Sequence, residues 1–200
     1  MTSPGEEKAW ELLRTAGPSD ICRNAAVSFD EWTGAYVMRS FCMDFLIIPR
    51  EKTIKCAAPS GQVIIEKYGY FFKHSCLWYL IHAKDIPPAG KLVKPVNIKG
   101  GEMFFRGSHV IPLDALATKY GTDKEAFADK GKELCGEALS FGDTSLRLLP
   151  MPRVPVTLIL WVADEEFPPR TDLLVDASCE IQLPIDIIWS VTMISVLVML

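Results

Sequence analysis

This chain of 200 residues holds three histidines, 25 acidic residues and six cysteines as its raw material for chemistry. The histidine in the most unusual setting is His109, within "GGEMFFRGSHVIP", Gly100 to Pro112. Gly100, Gly101 and Gly107 let the backbone turn sharply or approach another group closely. Phe104 and Phe105 offer flat apolar surface, Arg106 a cation and Ser108 a hydroxyl. A neutral imidazole is the commonest protein ligand of transition metals and an axial ligand of heme iron. His109 is therefore a candidate metal ligand or proton-transfer group. The competing reading is that Ser108 or His109 caps a helix that starts near Pro112. Lys91 and Lys94, with Arg106, are cations suited to a carboxylated ligand.

A second cluster lies in "WVADEEFPPR", where Asp164, Glu165 and Glu166 follow the most apolar run of the chain. Carboxylates at the end of a core strand can bind a hard cation or perform acid–base work. The competing reading is a solvated acidic turn with Arg170 as partner. The sequence expectation is that these carboxylates share the mouth of one pocket with the His109 loop. His74 falls on the helix side that carries Lys67 and reads as solvated, and His82 reads as packed on Trp78, four residues back. No phosphate-binding loop, HExxH, GxSxG or CxxC motif is present.

The six cysteines are Cys22, Cys42, Cys56, Cys76, Cys135 and Cys179. Metal and cluster sites usually bring cysteines in close pairs, and none are close here, so no iron–sulfur cluster is expected on this chain. The N-terminus lacks a basic segment followed by an apolar run, so the expectation is a cytoplasmic protein with reduced thiols. Net charge is −4 and the cations are scattered among acids, which argues against nucleic acid. The last fourteen residues, "IIWSVTMISVLVML", carry no charge. At about 1.5 Å per residue they span about 21 Å, short of a bilayer core of about 30 Å. They read as a buried or partner-facing helix, not as a membrane anchor.

The elements that must position these residues follow from periodicity. Residues 4–16 predict an amphipathic helix, with Pro4 in the first turn and Gly17-Pro18 as its stop. Residues 18–35 predict irregular structure. Tyr36 to Ile48 predicts one long, bent strand, and "TIKCA" its partner. A helix is predicted from Ile64 to Lys84, another over Leu113–Tyr120 and another from Asp123 to Cys135. "DTSLRLLP", "VPVTLILWVA" and "TDLLVDA" predict strands, the second central because both its faces are apolar. Pro184 opens the last helix. Strands and helices come in blocks, which predicts an α+β fold: a largely antiparallel sheet with packed helices in a single domain, 1–200. Its parts are an N-terminal helix (1–17), a core (18–190) and an apolar C-terminal helix (184–200).

"GGEMFFRGSHVIP", "LPMPRVPVTLILWVADEEFPPRTDLLVDAS", "LPIDIIW" and "VSFDEWTGAYVMRSFCMDFLI" together resemble a prokaryotic family catalogued as a domain of unknown function. The resemblance covers roughly residues 20–190. Its members occur mainly in anaerobic bacteria and archaea, and some carry an iron–sulfur domain like that of the corrinoid iron–sulfur protein. The positions that match the family pattern include Gly100, Gly101, Phe105, Gly107, His109, Asp164, Glu165, Glu166, Asp176, Pro184 and Asp186. The resemblance implies a setting in anaerobic cofactor metabolism, with an iron–sulfur or corrinoid protein as partner.

The first functional expectation is therefore an accessory module that binds a metal-containing cofactor, a corrinoid or heme. His109 would be its axial ligand, Phe104 and Phe105 its apolar wall and Arg106 its contact to rim carboxylates. The second is a hydrolase or transferase with His109 and Glu165 or Glu166 as acid–base or cation-binding groups. The third is a regulatory or structural subunit that docks, or forms a homo-oligomer, through the C-terminal helix.

Overall fold

A computed structural model describes residues 4–200; residues 1–3 of the expected N-terminal helical segment lie outside them. The first helix, α1 (Pro4–Thr15), buries Ala9, Trp10 and Leu13 on one face, as its periodicity predicts. A helix then replaces part of the expected irregular stretch: α2 (Pro18–Ala25). Gly17-Pro18 both stops one helix and opens the next, because proline at the first helical position forgoes no hydrogen bond. α2 ends where Ala26 turns left-handed, at φ 52°.

The run predicted as one long strand is a hairpin. β2 (Ala35–Ser40) and β3 (Met43–Ile48) pair antiparallel, with Ser40 opposite Met43. Phe41 (φ 47°) and Cys42 (φ 57°) fill both turn positions in the left-handed region, where Asn or Gly is usual. Distant contacts hold this turn. Phe41 is fully buried, and its N–H donates to the Leu149 carbonyl at 3.0 Å. Cys42 is disulfide-bonded to Cys135, 93 residues away. That bond corrects the expectation of six reduced thiols; Cys22, Cys56, Cys76 and Cys179 are free.

With β1 (Ser28–Asp30) and β4 (Thr53–Cys56), this hairpin forms a four-stranded sheet in the order β1-β2-β3-β4. The long helix α3 (Pro59–His82) covers it, starting at Pro59 instead of Ile64 and kinked at Tyr68. A Cβ on Gly61 would lie 2.2 Å from Cys56 Sγ, so the helix crosses β4 at a distance only glycine permits. Phe72 of α3 and Phe45 of β3 meet with ring centroids 4.5 Å apart.

The second sheet has five antiparallel strands in the order β5-β9-β8-β7-β6. They are β5 (Leu92–Val93), β6 (Glu137–Leu139), β7 (Thr144–Met151), β8 (Val154–Trp161) and β9 (Arg170–Asp176). β8 is central, as its two apolar faces predict, and every residue from Val154 to Leu160 is buried. On one face Leu146, Leu148, Val156, Leu158, Leu160, Leu173 and Val175 enter the core. Between β5 and β6 in sequence come α4 (Gly101–Phe104), α5 (Leu113–Tyr120) and α6 (Lys124–Glu133). α5 packs on β9 and α6 on β7, where a Cβ on Gly131 would come within 2.1 Å of Leu146 Cδ1.

After the short α7 (Cys179–Gln182), α8 (Ile185–Leu197) runs between α3 and the second sheet. Ile187, Ile188 and every residue from Ser190 to Val196 are buried. A helix apolar nearly all round is buried on most sides, and of this one Asp186 alone is exposed. Among the described residues, no helix is long and apolar enough to cross a membrane. One hydrophobic core joins both sheets, giving the expected α+β fold.

Candidate functional site

The His109 loop is built by its glycines. Gly100 (φ 78°) and Gly107 (φ 59°) supply left-handed turns on either side of α4. Gly101 allows a close approach, since a Cβ there would lie 2.1 Å from the Pro95 carbonyl oxygen. The chain then brings His109 back over Phe104, with rings stacked at 4.4 Å and 23°. Trp189 of α8 packs beside both rings, 4.8 Å from His109 and perpendicular to it, and 6.4 Å from Phe104. Phe71 meets Trp189 edge-on at 5.4 Å. His109 is thus a half-buried member of an aromatic cluster. It does not cap α5: Pro112 holds the N-cap position, and no side chain caps it.

The neighbours expected around His109 divide. Phe104 is in its wall. Phe105 turns into the core and lines a separate cavity of about 260 Å³ with Lys94, Val110, Ile111, Leu113 and Asp172. Arg106 is exposed and pairs with Glu102 at 2.9 Å, and Ser108 is exposed. Lys94 pairs with Asp172 at 3.3 Å, and Lys91 is exposed. Trp189 brings a feature the sequence did not signal: its indole N–H is buried without a hydrogen-bond partner.

The acidic turn is a self-contained structure. Asp164 Oδ1 accepts from the N–H groups of Glu166 (2.8 Å) and Phe167 (2.7 Å). Glu165 and Glu166 are exposed. Arg170 lies over the Trp161 ring at 4.1 Å. Asp164, Asp143, Trp161, Phe167 and Arg170 line a cavity of about 580 Å³ that includes no residue of the His109 loop. The acidic turn and the His109 loop thus line different cavities, with no residue in common. Among the described residues, no three His, Cys, Asp or Glu side chains gather as a metal-ion site.

The other two histidines are packed on rings. His82 stacks on Trp78 at 5.4 Å, as the spacing predicts, and burial holds its imidazole below the ordinary value, helped by Lys84 and opposed by Asp186. His74 is half-buried instead of solvated, because α1 lies against it and Tyr70 lies beside it at 5.2 Å.

A third site escaped the sequence reading. On the face of the second sheet away from the helices, strand register sets Glu137, Arg147, Thr157 and Leu174 side by side. Here a groove of about 560 Å³ opens, with Leu92, Leu139, Phe141, Leu149 and Pro155 as apolar walls. Thr157 is fully buried in it, and its hydroxyl has no hydrogen-bond partner. Arg147 pairs with Glu137 across the strands and remains partly exposed. Cys135 lies in the groove wall.

Asp176 also lines this groove but is fully engaged. Oδ1 accepts from the N–H of Ala89 and from both the N–H and hydroxyl of Ser178; Oδ2 accepts from the N–H of Gly90. Burial pushes this carboxyl up, but the bonds from Ser178, Ala89 and Gly90 outweigh it and hold it below its usual value. The signal for the groove was a lone threonine in "VPVTLILW" and a lone arginine in "TSLRLLP". It becomes readable only once the strands are aligned.

No curated protein and no solved structure matches the chain. A family match spans residues 17–197, nearly its whole length, and the protein belongs to that family, described as a domain of unknown function, DUF3786.

Proposed function

We propose that the protein is a binding module whose ligand is a mostly apolar small molecule with an acceptor oxygen at its head, a carboxylate or carbonyl. Its site is the groove on the open face of the second sheet. One observation carries this reading: the Thr157 hydroxyl, fully buried on the central strand, lacks a partner and lines the groove. A buried hydroxyl left without a hydrogen bond costs free energy, so natural proteins seldom keep one without a use. A ligand oxygen would satisfy it, and the Arg147 N–H groups not engaged by Glu137 would bind the same head. The groove volume of about 560 Å³ suits a small molecule.

The test is a calorimetric titration of the protein with decanoate, which has a carboxylate head and an apolar body. Saturable binding is expected, weakened about tenfold by Thr157→Val and by Arg147→Gln, and unchanged by His109→Ala. Equal affinity in all four proteins would overturn the reading.

A second reading rests on the His109 ring cluster. A ring packed on Phe104 and against Trp189 is pre-oriented, as a metal-ligating imidazole must be. The group it would serve is a corrinoid or heme, supplied or shared by an iron–sulfur or corrinoid partner in an anaerobe. The fit is incomplete. The cavity beside this loop, about 260 Å³, is not lined by His109 and is small for a macrocycle. Addition of hemin or cobalamin tests this reading: it requires an absorption band that shifts in His109→Ala, and an unchanged spectrum ends it.

A further inference from the structure

The disulfide Cys42–Cys135 joins the β2–β3 turn to the link between α6 and β6, and so ties the two sheets together. Its two ends differ. Cys135 is exposed and lies in the wall of the groove, while Cys42, in the hairpin turn, is half-buried. Both half-cystines hold left-handed backbone, at φ 57° and φ 52°, and neither is glycine. Such positions persist only where surrounding structure imposes them, and they cluster at functional sites.

We propose that this bond is a thiol–disulfide exchange site for a small, carboxylate-bearing thiol, with Cys135 as the sulfur attacked. An incoming thiolate forms a bond to Cys135 Sγ, the Cys42–Cys135 bond breaks, and Cys42 leaves as the thiolate. A second small thiol then attacks the mixed disulfide. It releases the oxidised small disulfide and leaves Cys135 reduced. Two small thiols are oxidised, the protein gains two electrons, and its two sulfurs take up two protons.

Three features set this direction. Cys135 is the more exposed of the two and lies in the groove wall. Cys135 directly follows the C-terminal turn of α6, its N–H bonded to the Lys132 carbonyl. The negative end of a helix disfavours a thiolate there, so the departing charge belongs on Cys42. Finally, Arg147 lines the same groove and can receive the carboxylate of the incoming thiol. The remaining cysteines stay out of this chemistry. Cys22 is half-buried, and burial raises its thiol; Cys56, Cys76 and Cys179 are buried, and burial pushes the Cys179 thiol up to about 12, with help from Glu180 and Asp176, and raises Cys76 strongly.

After reduction the fold has other ties across the same junction. Phe41 remains buried, and its N–H remains bonded to Leu149. The exchange therefore opens the groove wall without dismantling the core. This inference does not depend on the groove's noncovalent ligand. Exchange is read by the adduct on Cys135 and noncovalent binding by decanoate calorimetry, so the two fail separately.

The test uses the full, oxidised, native chain in glutathione buffer, quenched with acid and analysed by peptide mass spectrometry. The expected result is a glutathione adduct on Cys135, loss of the Cys42–Cys135 bond within about tenfold of the rate in the denatured chain, and a cooperative thermal transition in the reduced protein. Arg147→Gln should slow adduct formation several-fold. A bond that yields only in denaturant, an adduct on Cys42 instead of Cys135, or a reduced chain that no longer unfolds cooperatively would each overturn the proposal.

Discussion

The His109 cluster and the sheet groove each contain a buried donor without a partner, and the two donors differ in what surrounds them. Trp189 Nε1 is sealed among the rings of Phe71, Phe104 and His109. Thr157 Oγ1 is buried too, but its residue lines a groove open to solvent. An unpaired polar atom costs stability in either place, but only the second belongs to a residue in a groove wall. Such an atom therefore points to binding when a groove accompanies it. The histidine that dominates the sequence reading sits in the more structural of the two regions.

The largest effect expected is at Trp189. Trp189→Ala removes the ring that closes the His109 cluster and should cost about 3 kcal/mol by chemical denaturation. Decanoate affinity should not change. If that affinity collapses while the fold survives, the aromatic cluster and the groove are one site and the distinction between them fails.

Asp176→Asn comes next. The carboxylate has two acceptor oxygens, and the amide replaces one of them with a donor facing N–H groups, at a cost of about 2 kcal/mol. The sign with pH follows from its depressed folded-state value. Its contribution is full above the unfolded carboxyl value of about 3.9 and is lost as pH falls through the lower folded value. Denaturation midpoints across acid pH should show this loss in the wild type and a flatter profile in Asp176→Asn.

Thr157→Val has the opposite sign. Replacing an unsatisfied buried hydroxyl with a methyl of similar shape should raise stability by about 1 kcal/mol while weakening ligand binding. A loss of stability would mean the hydroxyl is bonded in solution, and the contrast with Asp176 would disappear.

The smallest effect concerns His82, which stacks on a ring as His109 does. Its folded-state value is lowered, so the unfolded chain takes up the proton first. Stability should therefore decline slightly as pH falls below about 6.5, and His82→Gln should remove that slope. A slope that persists in His82→Gln but vanishes in His109→Gln would transfer the titrating role to the aromatic cluster.

Local periodicity made much of this fold legible. The stripe Ala9, Trp10 and Leu13, the doubly apolar β8 and the uncharged α8 each follow from spacing within one element. What escaped depends on partners distant in sequence. "SFCM" reads as continuous strand because Phe41 and Cys42 are neither glycine nor asparagine, and the contacts that hold their turn come from Leu149 and Cys135. The glycines around His109 announced a special loop, and its geometry is special. Nothing local revealed that Trp189, far along the chain, completes the ring cluster. The groove needs three strands in register before Glu137, Arg147 and Thr157 become neighbours.

The Cys42–Cys135 bond also governs how often the chain opens as a whole. It closes a loop with a sequence separation of 93 that contains α3, the His109 loop, α5 and α6. By the loop-entropy relation, closing a loop of this size removes unfolded conformations equivalent to about 4.5 kcal/mol. At about 1.4 kcal/mol per decade, cutting the bond raises the unfolded fraction by about three orders of magnitude, with no other contact changed. Proteases that act on open chains track that fraction. The redox state of one sulfur pair thus changes how readily such a protease cuts the chain, through chain entropy alone.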